Sequence, residues 1–158
     1  MITKKAAEIL LEVRKLILKH PQRFNISHWF GSESLSECGT SACIAGWICM
    51  VDLKTEQPSE AVKIMRFDMT QAEDKAQDIL QCYNTHDLFF HQNWDESFSK
   101  AYSDEQNLFF SSNLKGNAIE HKRRCAEISA DWIVFWMNRE GIEDGVELPS
   151  FVWFKTGV

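Results

Sequence analysis

The chain has 158 residues, 44% of them hydrophobic and 25% charged, with a formal net charge of −6. That length and balance predict one folded domain, residues 1–158, with a core of its own. The acidic balance opposes broad binding to nucleic acid or anionic membrane, which needs clustered Lys and Arg. The longest uncharged apolar run, Ala42 to Val51, is ten residues, about half of what a bilayer span requires. Lys4 and Lys5 offer a basic start, but Glu8, Glu12, Arg14 and Lys15 interrupt any apolar segment behind them, so no export signal is expected. The five cysteines, at 38, 43, 49, 82 and 125, are odd in number and scattered. Without an export signal they read as reduced cytoplasmic thiols.

Ile9, Leu10, Val13, Leu16 and Ile17 recur at helical spacing, with Thr3 as the cap and His20-Pro21 as the stop. Residues 22–37 read as a loop anchored by Phe24, Trp29 and Phe30. Thr40 is expected to cap a second helix over 41–52. That helix is apolar on every face, so it should be buried. Its small residues Ala42, Ala45, Gly46 and Cys49 suit close packing. Pro58 opens a helix over 58–66. Thr70-Gln71-Ala72-Glu73 and Ser103-Asp104-Glu105-Gln106 both match the capping-box pattern, opening helices to Cys82 and over 104–111. The longest helix is expected over 115–139, with Ala118, Cys125, Ile128, Trp132, Ile133 and Trp136 on its apolar side and Gly141 as the stop. Val146 to Phe154 alternates apolar residues around Pro149, as a strand-like strap would. The pattern predicts an all-α bundle of five to six helices around a buried central helix, with an extended C-terminal strap.

Three constellations carry chemistry. With Thr40 as cap, Cys43 falls in the first helical turn, where free N–H groups favour a thiolate. Cys38 and His28 are the candidate assistants of such a nucleophile. The apolar run behind Cys43 works the other way, because burial raises a thiol pKa. Cys82 and His86 are four apart, as are His121 and Cys125. On helices each pair would share a side, and the two pairs together would make a tetrahedral zinc site. The helices at 58–66 and 70–82 have helix-turn-helix lengths, but Glu73, Asp74 and Asp78 outweigh Lys75 and would repel phosphate. Lys122-Arg123-Arg124 is flanked by Glu120 and Glu127, as in a solvated face.

Six Trp and eleven Phe are more aromatics than a chain of this size easily buries. Phe89, Phe90, Phe151 and Trp153 are therefore the candidate contact surface for a partner.

Cys38-Gly39-Thr40-Ser41-Ala42-Cys43-Ile44-Ala45-Gly46-Trp47 resembles a Cys-Gly-Thr-x-x-Cys-x-Ala-Gly-Trp motif of a family of small bacterial and phage proteins. In that family the motif also follows an N-terminal helix and a His-Pro loop, here His20-Pro21. Trp94 and Phe98 look similar to a later Trp-x-x-x-Phe. The resemblance implies a shared fold and a phage or mobile-element setting, and no reaction.

These readings together predict a small cytoplasmic helical protein that binds another protein or a second copy of itself, as a regulator or inhibitor. No nucleic acid, membrane or cofactor is expected. The alternatives are a cysteine-dependent enzyme or thiol sensor centred on Cys43, and a zinc-stabilised domain.

Overall fold

The computed structural model describes residues 1–26, 30–32, 40–64, 72–111 and 118–155. Seven α-helices occur among them: α1 (Lys4–Lys19), α2 (Ile44–Asp52), α3 (Pro58–Ile64), α4 (Ala72–Leu80), α5 (His86–Phe89), α6 (Glu96–Ser111) and α7 (Ala118–Glu140). A short antiparallel ribbon, β1 (Phe30–Ser32) and β2 (Thr40–Ala42), pairs Phe30 with Ala42 and Ser32 with Thr40. The fold is all-α. No helix among the described residues is long and apolar enough to cross a membrane.

Local signals start and stop α1. The Thr3 hydroxyl accepts the Ala6 N–H at 3.2 Å, and the His20 N–H closes the last turn on the Leu16 carbonyl. Pro21 then opens a 3-10 turn, Pro21–Arg23, that carries Phe24 into the core.

The cap expected at Thr40 does not form. Thr40 to Ala42 instead pairs with β1, and the cap position of α2 passes to Cys43. Pairing with a strand from the expected 22–37 loop outcompetes the local capping signal. As expected, α2 is buried, every residue from Ile44 to Met50 being enclosed. It packs against α1, α3, α4 and α5.

The helix expected over 104–111 begins earlier, at Glu96. The Asp95 carboxylate accepts the Ser97 N–H and hydroxyl and starts the helix there. Ser103 to Gln106 therefore lies inside α6, which frees Glu105 to reach across to α7. α5 was not signalled by the sequence; a four-residue helix has no hydrophobic period to read.

Gly141 ends α7 at φ +77°, a conformation that favours glycine. There the N-terminal segment meets the end of α7: the Ile2 N–H donates to the Gly141 carbonyl at 2.7 Å, and the Glu143 N–H to the Ile2 carbonyl at 3.0 Å. Residues 146–154 form an irregular strap rather than a strand. Asp131 of α7, fully buried, holds it. The carboxylate accepts the N–H groups of Val152 at 2.7 Å, Trp153 at 2.7 Å and Phe154 at 2.9 Å. From α1, Arg14 Nη2 donates to the Ser150 carbonyl at 3.0 Å. Beneath the strap, the Phe98 ring meets those of Trp132, Phe135, Phe151 and Phe154. Trp94 stacks on Trp132 at 5.4 Å. Trp94 and Phe98 thus pin α6 to α7.

Candidate functional site

Cys43 is 1% exposed and caps α2 without a side-chain hydrogen bond. Two effects compete on its thiol. Burial raises its pKa, while the backbone N–H groups of Gly46 and Ala45 at the helix start lower it. Burial wins, and the thiol is pushed up to about 12. Cys49, which lies against the Ala72 carbonyl at 3.6 Å, is pushed up to about 11, again chiefly by burial. Cys38 and His28, the expected assistants of Cys43, lie outside the described residues.

The two Cys/His pairs have different fates. α4 ends at Leu80, Gln81 turns at φ +51°, and His86 begins α5. Cys82 and His86 therefore do not share a helix. His86 faces Glu73 at 3.6 Å and the Phe90 ring at 4.5 Å. His121 and Cys125 do share a side of α7, with Sγ 3.7 Å from Nε2 and 3.9 Å from Nδ1. No group of three His, Cys, Asp or Glu among the described residues is placed to hold a metal ion.

His121 and Cys125 belong instead to a buried polar cluster between α6 and α7. Glu105, 4% exposed, accepts from His121 Nδ1 at 3.0 Å and Arg124 Nε at 2.8 Å. Gln106 Nε2 donates to the Tyr102 hydroxyl at 3.1 Å and points to Cys125 Sγ at 3.8 Å. Phe109 stacks on the His121 ring at 4.2 Å and 9°. The near-equal distances from Sγ to both ring nitrogens put sulfur off the lone-pair axis of either, so Cys125 and His121 are not aligned for proton transfer. Burial, then the Glu105 charge, pushes the Cys125 thiol up to about 12. The cluster locks two helices together.

The sequence signal for Glu105 was hidden inside an apparent capping box. Asp131 had a clearer one: it is the only charge between Ile128 and Met137. A lone acid in an apolar helical stripe must find buried donors.

The aromatics expected to meet a partner are turned inward. Phe89 is 1% exposed and belongs to the core; it corrects the expected contact surface. Phe90, Phe151 and Trp153 are half-buried and pack on that core. The strap lays its rings against α6 and α7.

Other apolar side chains are exposed. At the end where α6 stops and α7 starts, Leu108 is 62%, Phe110 76% and Ile119 59% exposed. Phe110 touches Phe109 at 5.5 Å, and Phe109 stacks on His121, so Phe110 is fastened to the polar cluster. The neighbouring basic run is tied down: Arg123 bonds Glu120 and Glu127, Arg124 bonds Glu105, and Lys122 Nζ donates to the Phe24 carbonyl at 3.0 Å.

Comparison with family models, with curated proteins and with solved structures finds no match to the chain.

Proposed function

We propose that this chain works by binding another protein, and that the α6–α7 end is its contact surface. The observation that carries the reading is the exposure of Leu108, Phe110 and Ile119 on two helices locked together by Glu105, His121 and Arg124. Large apolar groups held outward on a rigid support lose little entropy when a partner covers them. The pairing of Arg123 and Arg124 with acids beside them favours a protein over a nucleic acid. The cysteine-enzyme reading draws no support from Cys43, whose thiol is buried and protonated at neutral pH.

The setting is the bacterial or phage cytoplasm that the Cys38–Trp47 motif resembles, and the role is that of a regulator or inhibitor. Substituting Leu108, Phe110 and Ile119 together by Ser tests it. The expected result is an unchanged melting temperature with loss of the associated protein from the native complex. A triple variant that keeps its partner would overturn the assignment of this surface. If the lost associate is a second copy of the chain, the surface stands and the partner is the protein itself.

A further inference from the structure

A groove of about 350 Å³ lies between α1 and the strap, lined by Leu11, Arg14, Glu147, Leu148 and Pro149. Three of its five walls are apolar; the other two carry one positive and one negative charge. Arg14 is half-buried, and a guanidinium drawn part-way out of water gains from a hydrogen-bonding or ionic partner. This one donates a single hydrogen bond, from Nη2 to the Ser150 carbonyl, and its Nε is buried without a hydrogen-bond partner. Asp131 opposes its charge at longer range, but the Asp131 oxygens are already taken by three strap amides. Glu147, exposed on the strap, forms no ion pair among the described residues. Arg14 and Glu147 thus line one groove as opposite charges, each without a direct ionic partner among the described residues.

We propose that this groove binds a small α-amino acid with an apolar side chain. The ligand carboxylate meets Arg14, its ammonium meets Glu147, and its side chain rests on Leu11, Leu148 and Pro149. A simple carboxylate would leave Glu147 repelling it, and a simple amine would meet the Arg14 charge. A zwitterion satisfies both with opposite charges on one carbon. The volume lies near the lower bound of small-molecule pockets, which suits a ligand of this size. Occupancy would tie α1 to the strap at a second point, beside the Arg14 bond to Ser150. The site is separate from the α6–α7 surface and does not depend on it.

Calorimetric titration of the full chain with L-leucine tests the proposal, beside 4-methylpentanoate, which lacks the ammonium, and isoamylamine, which lacks the carboxylate. The expected result is saturable binding of L-leucine with a rise in melting temperature. The two single-charge analogues should bind about tenfold more weakly, because each leaves one charge unmatched. Arg14 also fastens the strap, so the deciding variant is Glu147→Gln at an exposed position. It should keep the wild-type melting temperature and bind L-leucine about tenfold more weakly. No binding of L-leucine at about 10 mM, where even a weak site would register, overturns the proposal. So does 4-methylpentanoate binding as tightly as leucine, or wild-type affinity in Glu147→Gln.

Discussion

Replacing Asp131 by Ala removes the acceptor for three consecutive strap amides, at 2.7, 2.7 and 2.9 Å. Two responses compete. If the strap stays docked, three amides lose their partner at about 1–3 kcal/mol each, or about 3–9 kcal/mol together. If the strap peels away, those amides meet water, and the loss is capped by the packing of Phe151, Trp153 and Phe154. Each of these rings is only half-buried. At about half the value of full burial they contribute roughly 3 kcal/mol in all. Peeling is the cheaper response, so Asp131→Ala should cost about 3 kcal/mol and detach the strap. For a domain of this length that lowers the melting temperature by about 6–12 °C. Thermal melting followed by circular dichroism gives the shift, and hydrogen exchange at residues 150–155 reports detachment. Asp131→Asn should fall between, because its amide oxygen still accepts while its NH2 cannot. An Asp131→Ala protein that melts within about 2 °C of wild type, with the amides of 152–154 still protected, would refute the reasoning.

Cys43 should resist alkylation in the native protein at pH 8, where a thiol pushed up to about 12 is about one part in ten thousand thiolate. Mass-spectrometric mapping should find Cys43, Cys49 and Cys125 unlabelled before unfolding and labelled in urea; native labelling of Cys43 at a free-thiol rate would contradict this. Glu105→Ala should cost about 3 kcal/mol in urea denaturation, since His121 and Arg124 lose their shared buried acceptor. A double-mutant cycle with Arg124→Met that shows no coupling would count against the cluster. The Glu56 carboxyl is held below its ordinary range by a hydrogen bond from His20 and then by Lys19. A depressed carboxyl contributes stability that is present above the unfolded value and lost as pH falls through the folded one. Glu56→Gln should therefore flatten the acid limb of the stability profile slightly, and more at low salt, because the pair is exposed. An identical acid limb at low salt would remove that contribution.

The fold was legible where a few adjacent residues decide the outcome. Thr3, His20-Pro21 and Gly141 act on their own turn of chain, and each does in the structure what its chemistry predicts. Thr40 and Ser103 failed for one shared reason: a distant or upstream partner overrode a good local cap. β1 captures Thr40 into a ribbon, and Asp95 starts α6 before Ser103 is reached. The uniform apolarity of 42–51 correctly marked the buried helix, but composition cannot tell a cap from a first turn. That single-position shift, with burial, changes how Cys43 reads. The aromatic surplus reads as a surface because sequence does not show what a strap covers. Phe151 and Trp153 pack inward because Asp131, twenty residues away, fixes the backbone between them. The exposure of Leu108, Phe110 and Ile119 depends on how two helices pair, and Glu105 contributes to that pairing by meeting His121 and Arg124 across 16 and 19 residues.

The binding role is tested most directly by a photo-crosslinking side chain placed at position 110, with position 83, equally exposed at 76%, as the control. Crosslinking in cells of the source organism should give one discrete adduct from 110 and none from 83. Excess wild-type protein should compete it away, while the Leu108, Phe110 and Ile119 triple Ser variant should not. Equal adducts from both positions, or competition by the triple variant as strong as by wild type, would contradict the claim that this end of the molecule binds a partner.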